Sequence, residues 1–176
     1  RGESAGATRW GGAGLRGLEA PRLLSETVIP VMSPDLLAQN PLNDPADLAR
    51  HILLHDGSPD ADDSCPDWAM WLAARGVKGV DGARGPRFNQ SSLVIEAAAN
   101  GRGVALAKRT LAQADLDAGR LVTPFQIATA VDFAYYVVHP KTKGRLPQVK
   151  AFVSWLTAEA AAHEAALQTM DNGSGI

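Results

Sequence analysis

The residues with the clearest chemical potential form a polar segment, residues 89–92, between a short extended run and a predicted helix over residues 93–99. A helix N-terminus presents unpaired backbone N–H groups and the positive end of the helix dipole, so it can bind a carboxylate or phosphate. The hydroxyl of Ser91 or Ser92 could instead cap the helix. A capping hydroxyl and a bound anion can share one helix terminus, so both roles stay open.

Two further polar groups lie near predicted element boundaries. Ser33 precedes Pro34, a pair typical of a helix start with serine at the N-cap and proline at the first helical position. Tyr136 lies in an apolar run over residues 131–139 that predicts a strand. In open α/β folds, ligands bind at the carboxyl ends of strands and at helix N-termini. Together with residues 89–92, these groups predict a cleft that receives a small anionic molecule.

Other chemistries have weaker support. His51 and His55 are four residues apart, near Cys65 and several aspartates, but neither an H-E-x-x-H nor a C-x-x-C pattern is present. Residues 12–17 match G-x-G-x-x-G, but Pro21 and a strand-like run follow where a nucleotide fold needs a helix. No G-x-S-x-G elbow occurs, and the neighbouring aspartates disfavour the thiolate of Cys65. We predict no metal, no cofactor and no enzymatic activity.

Composition narrows the class of protein. The chain has 176 residues, 45% hydrophobic and 20% charged, which suits one domain or two small lobes. The formal net charge of −2, without a basic patch, disfavours a stand-alone nucleic-acid binder. A single cysteine excludes a disulfide framework and fits a reducing compartment, and no apolar run approaches 18 residues. We therefore expect a cytoplasmic protein that does not engage a membrane.

Strand-like and helix-like segments alternate along the chain, which predicts an α/β fold with a largely parallel sheet. The predicted strands cover residues 5–10, 22–31, 52–54, 103–107, 121–125 and 131–139. The predicted helices begin at Pro34, Pro45 and Pro147, cover residues 93–99 and 108–118, and include one that carries Trp68, Trp71 and Leu72 on a single face. Glycine recurs every third residue from Gly76 to Gly85, which is typical of a solvent-exposed connection.

Three ordered blocks of the sequence resemble one protein family. They are GLEAPRLLSETVIPVMSPDLL (17–37), RFNQSSLVIEAAANGRGVALAKRTLAQADLDAGRLVTPF (87–125) and FAYYVVHPKTKGRLPQVKAFVSWL (133–156). In this order they resemble the effector-binding domain of LysR-type transcriptional regulators, in the branch that includes the glycine-cleavage activator. The resemblance runs from about residue 9 to residue 156.

The resemblance implies a two-lobed α/β fold like that of periplasmic binding proteins (type 2), with mostly parallel sheets and crossover strands between the lobes. Lobe II would comprise residues 31–124, lobe I residues 1–30 and 125–165, and residues 166–176 would form a disordered tail. A small effector would bind between the lobes, facing Ser33, Ser91 and Ser92, with Tyr136 and Arg9 as further ligand-binding candidates. The partners implied are this effector and a second copy of the chain, in a homodimer or tetramer.

The chain also departs from the family pattern. The N-terminal winged helix-turn-helix domain of the family is absent from this sequence, so we expect DNA contact only through that domain and not through this chain. About the first third of the effector domain is absent too, so lobe I is expected to be incomplete. The alternatives are a solute-binding protein of the same two-lobe fold and a small α/β enzyme.

Overall fold

A computed structural model describes the backbone of residues 7–10, 17–58 and 65–173. The chain divides into two compact units, one built from the segments up to Glu26 and from Asp132 onward (unit 1), the other from Thr27–Val131 (unit 2). Two strands pass from one unit into the other, β3 (Arg22–Val31) and β7 (Thr129–Pro140).

The remaining strands are β1 (Ala7–Trp10), β2 (Leu18–Glu19), β4 (Leu53–Asp56), β5 (Arg87–Phe88) and β6 (Val104–Lys108). The α-helices are α1 (Pro34–Gln39), α2 (Trp68–Ala74), α3 (Ser91–Ala99), α4 (Arg109–Asp117) and α5 (Pro147–Gly173), and a 3₁₀ helix covers Pro45–Arg50.

Unit 2 is a mixed sheet with strand order β3-β6-β4-β5. β4 pairs in parallel with β5 and with β6, whereas the crossover strand β3 runs antiparallel to β6. Successive strand residues face opposite sides of the sheet, so Leu53 and Leu54 enter two different apolar clusters. One cluster packs under α3 and α4, and the other contains Trp68 and Trp71 of α2. Unit 2 is therefore a three-layer α/β/α arrangement.

Local chemistry explains where the helices of unit 2 begin. The hydroxyl of Ser33 accepts a hydrogen bond from the N–H of Leu36 at 3.2 Å, which confirms the predicted cap of α1. Asp44 caps the 3₁₀ helix, and its partner in a capping box is Asp47. Asp67 accepts a hydrogen bond from the N–H of Met70 and so starts α2, whose buried face carries the two tryptophans as predicted.

Two glycines let other segments approach the backbone of β4 closely. Gly85 has φ +129°, and a Cβ built there would lie 1.9 Å from the carbonyl oxygen of Leu53. Gly103 has φ +157°, and a Cβ there would lie 2.3 Å from the carbonyl oxygen of Ile52. No other residue type fits either position without backbone movement, so the close approach of both segments to the start of β4 requires glycine.

Unit 1 contains an antiparallel ladder and a long helix. β7 pairs with β1 and with β2. Glu164 of α5 accepts a hydrogen bond from the backbone N–H of Ser25 at 2.7 Å, which fixes the helix to the first half of β3. The buried side chains include Ala134, Val137 and Val149.

Two predicted segments differ from the structure. Residues 121–125 form only a single antiparallel bridge, between Met32 and Val122, because Pro124 has no N–H with which to extend a ladder. The chain is helical through Gly173, over most of the stretch expected to be a disordered tail, and the alanine-rich composition of residues 158–166 favours that helix. In the part of the chain that the structure describes, no helix is both long and apolar enough to cross a membrane.

Candidate functional site

A cavity of about 270 Å³ opens in unit 2 at the carboxyl ends of β4 and β6. Its apolar wall is made by the buried ring of Trp68 and by Val28, Leu54 and Leu106. The indole N–H of Trp68 donates to the carbonyl oxygen of Leu54 at 3.1 Å, which fixes the ring. A cavity at the carboxyl ends of parallel strands is the usual location of a ligand site in an α/β fold.

Two cations line the cavity. Lys108, the last residue of β6, is 9% exposed, and Arg87, the first residue of β5, is exposed. Lysine is rarely buried because removing its ammonium from water is costly. A largely buried lysine that lines a cavity is therefore a candidate to hold a ligand carboxylate.

In the polar segment at residues 89–92, the predicted serine cap of α3 is not formed. The N-cap of α3 is Gln90, and no side chain caps the helix. The hydroxyl of Ser91 instead donates to Oδ2 of Asp56 at 2.5 Å, the short distance of a charge-assisted hydrogen bond. Oδ1 of Asp56 accepts from the N–H of Ser58. The carboxylate of Asp56 therefore lies at the start of α3. Because Asp56 also lines the cavity, Ser91 orients a carboxylate of the cavity wall.

Ser91→Ala should lower the free energy of unfolding by about 1–2 kcal/mol, because the Asp56 carboxylate loses a charge-assisted hydrogen bond. The loss should largely disappear in an Asp56→Ala background, which has no acceptor for the Ser91 hydroxyl, and chemical denaturation in a double-mutant cycle measures this coupling. Ser92→Ala is the matched control, since Ser92 is exposed. An equal loss with and without the Asp56 substitution would show that Ser91 acts as a cap after all.

Ser33 and Ser91 are not brought together. Because β3 is antiparallel to β6, Ser33 lies at the amino edge of the parallel strands, opposite the cavity. Its hydroxyl faces Gly101 at the end of α3, where a Cβ would lie 3.3 Å from it, whereas Ser91 begins that helix. The nine residues of α3 separate the two serines by roughly 13 Å. The starts of two helices lie at one cleft only if the strands that precede them run in the same direction.

The remaining ligand-binding candidates lie in unit 1. Tyr136 of β7 is half-buried, and its register partner across the antiparallel ladder is Arg9 of β1. The structure thus makes these two residues strand neighbours, while the side chain of Arg9 lies outside the described part. The G-x-G-x-x-G match at residues 12–17 also lies largely outside the described residues.

Sequence reasoning missed Lys108 and Asp56 as cavity residues. The interpretation of Lys108 as the start of a helix overlooked that it ends an apolar run, Val104–Lys108, which forms a buried strand. A lysine at the end of a buried strand was the available signal. No signal could reveal Asp56, because its partner Ser91 is 35 positions further along the chain.

The two histidines considered as metal ligands have separate surroundings. His55 is buried, and its Nε2 is 3.0 Å from the carbonyl oxygen of Arg84. Among the described residues, no cluster of three or more His, Cys, Asp or Glu side chains could hold a metal ion. Burial lowers the pKa of His51 below its usual 6.5, and the nearby Arg50 lowers it further.

Stability should therefore fall as the pH drops below about 6.5, because the unfolded chain takes up a proton at His51 that the folded chain resists. The loss continues until the pH reaches the lower pKa of the folded state. His51→Gln should flatten this part of the curve of unfolding free energy against pH, as measured by urea denaturation. His163→Gln, in α5, is the control and should leave the His51 contribution intact. An unchanged curve in His51→Gln would contradict the assignment.

Comparison with known proteins identifies relatives over most of the chain. The family model described as "LysR substrate binding domain" matches residues 7–161. The glycine cleavage system transcriptional activator of Escherichia coli (strain K12) is 39% identical over 149 residues, which cover 84% of this chain and 47% of that protein. The transcriptional activator AmpR of Citrobacter freundii is 30% identical over 151 residues, covering 85% of this chain and 48% of that protein.

Solved structures agree with these sequence relatives. The effector domain of AmpR from Pseudomonas aeruginosa has a TM-score of 0.70 and 28% identity, over 93% of this chain and 76% of that chain. The effector-binding domain of AmpR from Citrobacter freundii has a TM-score of 0.69 and 26% identity, over 90% of this chain and 75% of that chain. The curated relatives are transcriptional regulators rather than enzymes, and the chain spans about half their length.

Proposed function

The chain belongs to the family of LysR substrate-binding domains, and from this premise we propose that its unit 2 cavity binds a small, carboxylate-bearing effector. The observation that carries the proposal is the largely buried Lys108 at the edge of a cavity with an apolar wall. The effector carboxylate pairs with Lys108, and Arg87 adds a second, solvent-exposed cation. Ser91 contributes by orienting Asp56.

The cavity also favours a particular kind of effector. Asp56 and Asp67 line it together with the two cations, so the lining is balanced in formal charge. A carboxylate that also carries a hydrogen-bond donor complements this set, since a donor can reach the Asp56 carboxylate. The apolar wall around Trp68 accommodates a short hydrocarbon portion.

Other groups remain part of the proposal on the strength of the family resemblance. Ser92 is proposed as a further effector contact, and Tyr136 and Arg9 are proposed as ligand-binding residues of unit 1. One relative of known structure is the Citrobacter freundii effector-binding domain with one threonine, one serine and one tyrosine replaced, at 25% identity to this chain. Serine and tyrosine are likewise among the residue types proposed as ligand-binding residues here.

In a regulator, effector binding changes activity only as far as the effector binds one conformational state better than another. Val28 of β3 forms part of the cavity wall, and the same strand continues into unit 1. The backbone of β3 therefore connects the cavity to unit 1. We propose that this chain senses the effector in a longer regulator that contacts DNA through a separate N-terminal domain and self-associates. Sedimentation velocity of this chain tests the self-association.

A thermal-shift screen tests the binding proposal. Small carboxylates (amino acids and aromatic acids) should raise the melting temperature in a concentration-dependent way, because a ligand of the folded state stabilises it by mass action. The corresponding neutral amides, at matched ionic strength, are the control and should have little effect. Equal shifts from acids and amides, or no shift from any carboxylate, would refute the carboxylate class.

A further inference from the structure

A second cavity, of about 140 Å³, lies in unit 2 and shares no lining residue with the first. Its walls are the end of the 3₁₀ helix with His51, the start of β4, and the glycine-rich connection over residues 79–85. At Gly85 this connection approaches the carbonyl of Leu53 so closely that no Cβ fits between them, and this contact forms one wall of the cavity. The volume is roughly ten times what one water molecule needs, so a small organic group fits.

The key group in this cavity is the imidazole of His51. The side chain lines the cavity and is 7% exposed, and its Nε2 is buried with no hydrogen-bond partner in the described part of the chain. The ring also forms a hydrogen bond with the backbone of Asn40, and this bond raises the pKa of His51. A bond that favours the protonated ring is one in which the ring donates. Because Nε2 has no partner, the donor is Nδ1, and Nε2 is left as an acceptor lone pair.

The charges around this nitrogen define what can satisfy it. The carboxylate of Asp81 also lines the cavity and, like Nε2, can only accept hydrogen bonds while ionised. Arg84 lines the cavity as well. Asp81 and Arg84 are both exposed, so solvent screens both charges. The two acceptors beside apolar walls from Leu48, Leu53 and Val80 complement a compact group with several N–H donors, such as an ammonium.

We propose that this second cavity is a binding site for a small primary amine, whose ammonium donates to Nε2 of His51 and pairs with Asp81. The site is distinct from the carboxylate-binding cavity, since the two share no lining residue. The alkyl portion of the amine packs against the apolar walls. A ligand of three or four heavy atoms can reach only a millimolar to submillimolar Kd, so saturation is sought up to about 50 mM.

The test is an NMR titration of the ¹⁵N-labelled chain, at a pH slightly above neutral, with ethylammonium chloride as probe. Long-range ¹H–¹⁵N spectra report the two ring nitrogens of His51, which are assigned by their absence from His51→Gln. Ethylammonium should shift the Nε2 resonance of His51 saturably, while the resonances of His55 serve as the internal reference. Asp81→Asn, which keeps the shape of the side chain, should weaken binding by about two- to fivefold, as for an exposed ion pair.

Two controls make the test decisive. Sodium acetate at the same ionic strength should produce no saturable shift at His51, and Asp117→Asn, on the exposed end of α4, should bind ethylammonium like the parent chain. The proposal is overturned if ethylammonium gives no saturable shift, which would mean that water alone satisfies the nitrogen. It is also overturned if acetate binds there instead, or if Asp81→Asn binds as tightly as the parent chain.

Discussion

Gly85→Ala is expected to cost about 3–4 kcal/mol of unfolding free energy. A Cβ at this position would lie 1.9 Å from the carbonyl oxygen of Leu53, and φ of +129° belongs to a region that is essentially confined to glycine. The connection must move away from β4, which adds a packing cost of about 1–3 kcal/mol to the backbone strain. Urea denaturation followed by far-UV circular dichroism measures the change.

Gly79→Ala is the matched control for this experiment. Gly79 lies in the same connection with φ +81°, but nothing lies within 4 Å of a Cβ built there. It should therefore lose only about 1–2 kcal/mol, the cost of a left-handed backbone at a residue with a side chain. Equal losses at the two positions would mean that the connection does not approach β4 this closely, which would also remove that wall of the second cavity.

Lys108→Met should abolish the thermal shift given by the effective carboxylates, with affinity reduced roughly 30-fold to more than a thousandfold, as for truncation of a buried ion-pair partner. The side chain is 9% exposed, and methionine has a similar unbranched shape that can fill the same space. Lys108 already makes an interaction within the chain, and removing one partner of a buried charged pair destabilises a fold. The melting temperature without ligand is therefore measured for the variant, and binding is compared at a temperature at which both chains are folded.

Lys78→Met controls for the loss of one positive charge. Lys78 is exposed in the glycine-rich connection and does not line the cavity, so its substitution should leave carboxylate binding unchanged. Calorimetric titration of both variants with the same carboxylate gives the comparison. If the two variants bind alike, Lys108 does not hold the effector.

The elements of this fold were predictable where their cause is local. Ser33 before Pro34 predicted a capped helix start, and the cap is formed. The spacing of Trp68 and Trp71 predicted a single buried helix face, and both rings are buried. The strand predicted over residues 121–125 was wrong because strand formation depends on a neighbouring strand, and here only Val122 meets one.

The candidate site was less predictable because its geometry depends on strand direction and on contacts between distant residues. The sequence identified Ser91 as chemically important but assigned it to the adjacent helix, whereas its partner is Asp56. Ser33 and Ser91 look equivalent as helix starts, yet the antiparallel pairing of β3 with β6 places them at opposite edges of the sheet. Only the three-dimensional pairing of the strands reveals that Lys108, and not Ser33, lines the same cavity as Asp56.

The most direct test of the account is a crystal structure of this chain bound to the carboxylate that gives the largest thermal shift. We predict that a carboxylate oxygen lies about 2.7–2.9 Å from Nζ of Lys108, with the hydrocarbon portion of the ligand against Trp68. Density for the ligand elsewhere on the chain, or in this cavity without contact to Lys108, would contradict it.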